Sequence, residues 1–475
     1  MGFPFDPTGQ GLVFNVLDYG ADPTGVNDST AAIQAAINAA TANAGIVYSA
    51  PGTFKFTSQI TANGSCGFAG PGVWKLGNSA YPNTAAGLVC LYLTGTNSTW
   101  TFYELHMDGN SANQSFTNAT TNTFFKGVSA DGNNGGTNGC TIMVPGILEF
   151  LNFTMLPTVG NGIGLNTFGC SYGDVNLLKS DNVDNTLWLT QASTTTPCDW
   201  NVEVVRAHNP TESVVYLEGF GGLALGMVDH LTDSLPAIDT GADTLRFLTA
   251  NAIKNVSVGQ LRTVYGRYPI SGGAGGSNAI SDTVISDCVA ISCRGSYNLS
   301  QFDSSCSLQG LVADGCAIGG VSGASVFGDF EIGGGAASDR VIGVNWRSLN
   351  SANGSFHFIG PGTLIGGSVK NPTYPVGFAS GTVEAECVIR DVVGYNPVGS
   401  QTAPTVPASG TALTNPFPFD CTVAVTDTST GTSVAVGGIT VATVPSGGTV
   451  PVFVGAGQTI TLTYTTAPTW AWTGH

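Results

Sequence analysis

The chain has 475 residues, of which 42% are hydrophobic and only 9% are charged. This much apolar material excludes a wholly disordered chain and suffices for a large core. The net charge of −17, with only 14 Lys and Arg, argues against a nucleic-acid partner, which needs clustered positive charge. It also disfavours acidic polysaccharides and anionic membranes, and leaves neutral sugars open.

The N-terminal segment MGFPFDPTGQG has neither the basic region nor the apolar core of a secretory signal. No apolar run approaches the ~18 residues of a membrane span, so we expect no membrane insertion. The 11 cysteines form no CxxC pair, and the closest two are Cys288 and Cys293. Zinc sites use tighter pairs. We therefore predict buried free thiols in a protein made in the cytoplasm, with no metal and no cofactor.

Residues 13–37 run from a loop rich in Gly, Asp and Asn into an Ala-rich segment. Gly20 and Gly25 have the spacing of a phosphate-binding loop, but Val26 follows where that loop requires Lys. The acidic and amide residues also lack the alternation and closing Glu of an EF-hand loop. Their side chains are therefore predicted to make turns.

A helix is predicted over residues 29–43. Asp28 or Ser29 suits its N-cap, and Gly45 is predicted as the residue that ends it. One helical face is apolar and must cover other apolar surface, so we expect a cap on the N-terminal end of the fold; the face comprises Ile33, Ala36, Ile37 and Ala40. The strands IVYSA and TFKF follow, separated by a Pro-Gly turn.

Three runs resemble the N-terminal signature of the pectate-lyase-like superfamily. They are N-V-x-D-Y-G-A-D (15–22), D-S-T-A-A-I-Q-A-A-I (28–37) and G-I-V-Y-S-A-P-G-T-F (45–54). Members of this superfamily are right-handed parallel β-helices, and many are phage tailspikes. The resemblance implies an all-β fold, a right-handed parallel β-helix (a solenoid) with an N-terminal capping helix. In that superfamily the signature carries no catalytic residues.

Short apolar runs recur along the body of the chain, as the coils of a parallel β-helix require. Eight of them start 23 to 31 residues apart: NVEVVRA (201–207), ALGMVDH (224–230), NVSVGQL (255–261), DTVISDC (282–288), GLVADGC (310–316), DRVIGVNW (339–346), TLIGGSV (363–369) and ECVIRDV (386–392). If the coils stack in register, charges near the strand ends should meet on one outer face, as a solvated ladder or as part of a carbohydrate groove. These charges are Arg206, Asp229, Asp287, Asp314, Arg347 and Arg390.

Five prolines between residues 396 and 418 mark a boundary. We predict an N-terminal segment with the capping helix (1–59), a parallel β-helix (60–395), a linker (396–408) and a small antiparallel, β-sandwich-like domain (409–475) for trimerisation or binding. A core this small is marginal alone, so we expect a homotrimer. Trp470 and Trp472 should share one face of the last strand. The segments CVIRDVVGYNP, TNPFPF and APTWAW resemble the C-terminal module of actinobacterial phage tail proteins.

Polysaccharide cleavage requires two carboxylates that flank the glycosidic bond, or a base with a neutralising cation. The candidate catalytic residues are Glu218, Asp229 and Asp233, and further acids and histidines lie near them: Glu203, Glu212, Asp239, His208 and His230. In VYGRYPI, Tyr265, Arg267 and Tyr268 are candidates for carbohydrate binding or for packing on the core.

Three functions stay open at this point. The first is a phage tail spike or fibre that adheres to host cell-surface glycan. The second is the same architecture with depolymerase activity, as a polysaccharide lyase or a glycoside hydrolase. The third is a non-catalytic structural or decoration protein of a virion, or a non-viral surface enzyme acting on carbohydrate. The first two place the protein in the virion tail or another surface appendage, with itself, other tail proteins and host polysaccharide as partners.

Overall fold

The computed structural model describes residues 12–80, 88–114, 123–131, 140–155, 160–190, 198–219, 221–236, 242–248, 252–274, 280–295, 297–303, 305–318, 329–332, 341–359, 362–370, 374–378, 387–393, 395, 399–429 and 431–475. Within these ranges the structure is almost entirely β. The helices are α1 (Thr30–Ala42) and two short 3-10 helices, Val16–Tyr19 and Ser111–Asn113.

Two long parallel sheets form the body of the molecule. Sheet A consists of β1 (Val13–Asn15), β2 (Ile46–Tyr48), β3 (Thr53–Phe56), β5 (Cys66–Ala69), β6 (Val73–Leu76), β8 (Thr99–Phe102), β9 (Glu104–Asp108), β11 (Thr141–Phe153), β13 (Tyr172–Val183), β15 (Asp199–His208), β17 (Gly221–Leu231), β19 (Ile253–Val264), β21 (Ile280–Ser281), β22 (Val284–Ile285), β23 (Cys288–Ile291), β25 (Ser307–Gln309), β26 (Val312–Asp314), β28 (Val341–Leu349), β30 (Gly362–Lys370) and β32 (Val388–Arg390). Sheet B consists of β4 (Ile60–Asn63), β7 (Leu88–Thr94), β10 (Thr123–Asp131), β12 (Gly160–Phe168), β14 (Asn185–Thr190), β16 (Ser213–Glu218), β18 (Asp243–Leu248), β20 (Ile270–Ala274), β24 (Tyr297–Leu299), β27 (Phe330–Ile332), β29 (Gly354–Phe358) and β31 (Tyr374–Phe378).

From β10 to β20 the chain alternates between the two sheets, and each strand pairs in parallel with the strand one coil later. This is a right-handed parallel β-helix. All eight apolar runs overlap strands of sheet A in chain order, which confirms the predicted coil period. Sheet A also bends, because β11 pairs with both β8 and β9 and its register shifts between Val144 and Ile147.

The core is a stack of inward side chains in register. Leu187, Val215 and Leu245 occupy one such row and are fully buried. Aromatic rings extend the same principle, since the Phe330 ring lies 5.1 Å from the ring of Trp346 in a stacked arrangement. All 11 cysteines are buried free thiols, as predicted. Burial raises the pKa of the Cys66 thiol to about 12.

Helix α1 covers the N-terminal end of the core, and the predicted apolar face is confirmed as buried. The Asp28 carboxylate accepts the N–H of Thr30, whereas the Ser29 hydroxyl accepts the N–H of Asp22 and does not cap the helix. The predicted helix end needs correction. The residue with positive φ is Ala44, at +48°. Gly45 is required instead by a close approach, because a Cβ there would lie 2.5 Å from the Leu12 carbonyl oxygen.

The polar loop before the helix makes turns, as predicted. The Asp22 carboxylate accepts the backbone N–H groups of Thr24 and Asn27, at 2.9 and 2.7 Å. The Thr24 hydroxyl also donates to this carboxylate, and together these bonds hold the pKa of Asp22 well below its usual range. The groups that donate hydrogen bonds to this carboxylate therefore belong to the loop itself.

Two predicted boundaries shift in the structure. The parallel sheet begins before residue 60, because β1 pairs with β2 and β2 with β5. The predicted linker belongs to the C-terminal domain from residue 399 onward. Its residues Gly399–Gln401 form β33, which pairs with the last strand, and the Pro404 carbonyl accepts the indole N–H of Trp470. Proline lacks a donor, but its carbonyl still joins a hydrogen-bonded structure.

The C-terminal domain consists of two four-stranded antiparallel sheets that share one core. Besides β33, its strands are β34 (Ala412–Thr414), β35 (Cys421–Thr426), β36 (Thr432–Val436), β37 (Ile439–Val444), β38 (Thr449–Val454), β39 (Thr459–Thr463) and β40 (Thr469–Gly474). Sheet C has the order β33-β40-β35-β38 and sheet D the order β34-β39-β36-β37. Trp470 and Trp472 both contact this core, with ring centroids 5.4 Å apart, so they share a face of β40 as predicted.

A buried carboxylate makes the stability of the β-helix pH-dependent. Asp329 accepts hydrogen bonds from the hydroxyls of Ser348 and Ser351, but burial dominates and raises its pKa from 3.8 to about 7. The folded state therefore holds this proton more tightly than the unfolded chain. The stabilisation is fully present below about pH 4 and is lost as the pH rises through 7.

We therefore predict that the free energy of unfolding of wild type, minus that of Asp329→Asn, falls as the pH rises from 4 to 8. Urea unfolding at a series of pH values measures this difference. Asp287→Asn is the matched control, because Asp287 is exposed and Asn tolerates its positive φ. Its difference from wild type should stay constant. A constant difference for Asp329→Asn as well would contradict the prediction.

Candidate functional site

A groove of about 660 Å³ lies on the outer face of sheet B. It crosses six neighbouring strands, from β7 to β18, which at ~4.8 Å per strand corresponds to about 24 Å of length. The groove is lined by Val89, Tyr92, Phe124, Lys126, Ser129, Ala130, Ile163, Asn166, Phe168, Trp188, Thr190, Tyr216, Glu218 and Leu248. Its volume lies in the range of small-molecule and oligosaccharide-sized sites.

The strand register places the central side chains of the groove in one row. Asn166 pairs with Trp188, Trp188 with Tyr216, and Tyr216 with Arg246. Side chains alternate between the two faces of a strand. Because Leu187 and its neighbours in register point into the core, the rings one residue later face outward.

The two large rings of this row form an aromatic platform. The Trp188 and Tyr216 centroids lie 4.3 Å apart, and the Phe124 ring meets Trp188 edge-on at 5.2 Å. The Arg246 guanidinium lies over Tyr216, 5.3 Å from its centroid. Contacts on several sides hold the rings in place before any ligand arrives.

Polar groups flank the platform on both sides. Lys126 Nζ donates to Asn166 Oδ1 at 2.7 Å on one side. On the other side, Glu218 Oε2 accepts from the Trp188 indole and the Thr190 hydroxyl, both at 3.4 Å. These two bonds are long, and a carboxylate has about four acceptor sites. Glu218 therefore retains acceptor capacity toward the groove.

The far end of the groove is closed by ion pairs. Arg246 pairs with Glu212, and Arg267 makes a two-pronged pair with Asp243, through Nε to Oδ1 at 2.8 Å and Nη2 to Oδ2 at 2.9 Å. Asp243 is fully buried. The charges at this end are therefore neutralised within the protein.

The structure separates the three predicted catalytic acids. Glu218 lines the groove on sheet B. Asp229 lies on the outer face of sheet A, where it pairs with Arg262 at 3.3 Å. Asp233 follows the same strand and accepts from Asn209 and His208. Glu218 thus has neither of the other two beside it in the groove, and the catalytic role of all three stays a prediction.

The predicted sugar-binding residues Tyr265, Arg267 and Tyr268 lie outside the groove lining. Arg267 commits both prongs of its guanidinium to Asp243, and Tyr268 is buried beneath it, with the guanidinium 5.7 Å from the ring centroid. Tyr265 is half-buried in the turn after β19, at a φ of +59°. In this structure Arg267 and Tyr268 therefore pack against the β-helix, which is the second of the two roles considered for them from the sequence.

The histidines near these acids differ in environment. His230 is fully buried between the hydroxyls of Thr244 and Thr232, and burial lowers its pKa to about 3. His208 is partly exposed between Asp181 and Asp233, and its hydrogen bond to Asp233 raises its pKa. Asp239 lies outside the described residues, and Glu203 is exposed on β15.

The predicted charge ladder forms in part. Arg206 pairs with Asp229 in the register, and the same row continues through Arg262 to Arg347. The other three charges lie elsewhere: Asp314 two residues further along its strand, Asp287 in the turn before β23, and Arg390 opposite Ile365. The turns differ in length from coil to coil, so equal positions in the sequence do not give equal positions in the sheet.

Comparison with known families supports the N-terminal resemblance. Residues 13–153 match the family model for rhamnogalacturonase A/epimerase, pectate lyase-like. The match ends at residue 153, so the resemblance of the C-terminal module to actinobacterial phage tail proteins is outside it. No curated protein sequence matches the chain.

Several solved structures are distantly similar to this chain. The tailspike gp61 of Pseudomonas phage phi297 is 12% identical, over 98% of this chain and 99% of that chain, with a TM-score of 0.43. PfbA, a surface adhesin of Streptococcus pneumoniae, is 12% identical over 84% and 97%, with a TM-score of 0.43. The A-module of the mannuronan C-5 epimerase AlgE6 of Azotobacter vinelandii is 16% identical over 78% and 98%, with a TM-score of 0.38.

The residues at the centre of the groove escaped the sequence-based prediction. Trp188, Tyr216 and Arg246 each lie fourth in a similar short run, NTLWLT (185–190), SVVYLE (213–218) and DTLRFL (243–248). These runs alternate with the sheet A runs from which the coils were predicted. Their shared pattern, a polar start followed by a large side chain between apolar residues, was the available signal.

Two further features bear on function. Within the described ranges, His, Cys, Asp and Glu nowhere gather in a group of three that could hold a metal ion. In the same ranges, no helix is long and apolar enough to cross a membrane.

Proposed function

We propose that this protein binds a neutral glycan in the groove of sheet B. The observation that carries the proposal is the partly exposed Trp188 ring, which packs on the 8%-exposed Tyr216 ring with their centroids 4.3 Å apart. A sugar ring presents C–H groups on its faces and hydroxyls at its rim. The aromatic faces match the former, and Lys126, Asn166 and Glu218 around them match the latter.

The charge of the chain restricts the glycan. A net charge of −17 repels acidic polysaccharides at long range. Within the described part of the groove lining, the charged side chains are Lys126 and Glu218, which have opposite signs. A neutral oligosaccharide of several units therefore fits both the charge and the length of the groove.

Binding without cleavage is the activity that this geometry favours. Glu218 is the one carboxylate in the described lining of the groove. The nearby Glu212 is engaged by Arg246. Glycoside hydrolysis by two carboxylates would require a second acid opposite Glu218, and the described lining offers none.

The test is direct. Calorimetry measures the binding of neutral hexasaccharides of glucose, mannose, galactose and xylose, and of cell-wall polysaccharide extracted from actinobacteria. Assays of reducing ends and of ultraviolet-absorbing unsaturated sugars on the same samples detect hydrolase and lyase activity. Binding without new ends supports the proposal, and new ends would establish a depolymerase. If none of these glycans binds, the proposed glycan-binding function is overturned.

At the level of the whole molecule, we place this binding in a phage tail spike made of three chains. Two resemblances support that placement: that of the N-terminal signature to a superfamily that includes many phage tailspikes, and that of the C-terminal segments to actinobacterial phage tail proteins. Labelling of virions with an antibody distinguishes tails from heads. A location on heads would favour a decoration protein instead.

The C-terminal domain supplies apolar surface for a trimer. Strand β37 is an edge of sheet D, and its side chains Ile439 and Val441 are 71% and 52% exposed. Exposed apolar residues on an open edge strand promote aggregation of a monomer, whereas they stabilise an interface when another chain covers them. Burial of this edge between chains would also extend a core of marginal size.

We predict that the double variant Ile439→Asp, Val441→Asp elutes at the mass of one chain in light-scattering chromatography, whereas wild type elutes at the mass of three. Desolvation of two carboxylates would outweigh the apolar contacts of the edge. The matched control is Thr469→Asp, Ala471→Asp, which adds two carboxylates at exposed positions of β40 in sheet C, away from this edge, and should remain trimeric. A wild-type protein that is strictly monomeric would overturn the trimer.

A further inference from the structure

Two buried polar side chains beside the groove have no hydrogen-bond partner. Asn185 and Ser213 are both 0% exposed. The amide nitrogen and oxygen of Asn185 and the hydroxyl oxygen of Ser213 are all unsatisfied. Each such group costs about 1–3 kcal/mol when it is buried without a partner, so natural proteins contain few of them.

The register places these two residues next to each other and next to the groove. Asn185 on β14 pairs with Ser213 on β16, and on its other side it pairs with Ile163, which lines the groove. Asn185 lies three residues before Trp188, and Ser213 lies three residues before Tyr216. The unsatisfied pair therefore starts the same two strands that carry the aromatic platform.

The polar residues at the two ends of this row are satisfied. Beyond Ile163, Lys126 donates to Asn166. Beyond Ser213, the Asp243 carboxylate accepts two bonds from Arg267. Two further atoms of neighbouring strands are unsatisfied, Thr167 Oγ1 on β12 and Arg246 Nε on β18, but neither residue pairs in register with Asn185 or Ser213. Within the row from Lys126 to Asp243, the deficit is confined to Asn185 and Ser213.

The chemistry of the pair matches a polyhydroxylated ligand. The Asn185 amide offers two donors and one acceptor oxygen, and the Ser213 hydroxyl can both donate and accept. Neighbouring hydroxyls of one sugar ring present the complementary combination. Apolar ligands would leave these atoms unsatisfied, and a phosphate or carboxylate would meet only part of the set.

We propose that Asn185 and Ser213 are specificity-determining residues of the glycan site and hydrogen-bond adjacent hydroxyls of the sugar that contacts Trp188 and Tyr216. The inference rests on the proposed glycan binding. Because the unsatisfied atoms are covered in the structure, the sugar displaces a covering side chain when it binds. The free energy that the two side chains cost the unliganded fold is then recovered in the complex.

The test exploits opposite effects on stability and affinity. Asn185→Leu keeps the shape of the side chain and removes its polar atoms, and Ser213→Ala removes one oxygen. Each should leave the thermal midpoint of the free protein unchanged or higher. Each should also weaken the binding of the neutral hexasaccharide that wild type binds most tightly by about ten-fold.

Thr186→Val is the matched control. Thr186 is a buried hydroxyl in the same strand, but its oxygen is paired with the Ser180 hydroxyl at 2.6 Å. Its loss should lower the thermal midpoint and leave the affinity unchanged. Ser213→Ala decides the matter by itself if Asn185→Leu fails to fold.

The outcomes separate the two proposals. Weaker binding without loss of stability supports the role of Asn185 and Ser213. Unchanged affinity in folded variants overturns that role while the glycan-binding function stands. If a variant has both a lower thermal midpoint and a weaker affinity, the two side chains have a structural role, and their role in specificity is also overturned. Failure of wild type to bind any glycan of the panel overturns both.

Discussion

Replacement of Trp188 by Ala is expected to weaken the binding of the neutral hexasaccharide by about 2 kcal/mol, or roughly thirty-fold. Trp188 lies at the centre of the groove, and its ring contacts both Phe124 and Tyr216. Its removal takes away the largest apolar face available to a sugar. It also removes the indole that donates to Glu218. Titration calorimetry of the purified variant measures the change.

The control for this variant is Tyr172→Ala. Tyr172 is an aromatic residue that is 38% exposed, but it starts β13 on sheet A and lies outside the groove lining. The Tyr172→Ala variant should bind the hexasaccharide with the affinity of wild type. Equal affinities of Trp188→Ala and wild type would contradict the placement of the site on sheet B. Because the Trp188 and Tyr216 rings touch, the effects of the two alanine variants should not add.

The sequence allowed the fold to be predicted because its signals are local or periodic. The helix over residues 29–43 follows from an apolar face and a polar N-terminus, and the structure places it at 30–42. The coils follow from apolar runs in sheet A, where inward side chains must be apolar in every turn. Boundaries moved where pairing, which is not local, decides them, as for β33 against the last strand.

The site was harder to predict because it is assembled across coils. Trp188 and Tyr216 are 28 residues apart in the chain, yet they meet because β14 and β16 are paired in register. That register depends on the lengths of the intervening turns, which vary. Candidates chosen for charge alone, such as Asp229 and Glu218, were therefore assigned to one site although they lie on different sheets.

The largest expected effect on stability is that of Asp243→Ala. The Asp243 carboxylate is fully buried and binds the Arg267 guanidinium through both oxygens. The substitution leaves a largely buried guanidinium without its partner, which costs about 3–5 kcal/mol. Urea unfolding at neutral pH should show this loss in the free energy of unfolding.

Asp229→Ala serves as the comparison, because it breaks an ion pair of the same chemistry on an exposed surface. Asp229 lies 3.3 Å from Arg262, whose side chain is 53% exposed. Solvent screens such pairs, and their loss typically costs less than about 1 kcal/mol. Equal effects of the two variants would contradict the structural role of Asp243.

A large loss of stability for Asp243→Ala alone would assign a structural role to Arg267. This residue was a candidate for sugar binding because it lies between two tyrosines in the sequence, but it would then stabilise the corner of the β-helix beside the groove. The groove would then depend on Arg267 through the position of β18, where the partly buried Arg246 holds Tyr216 from one side.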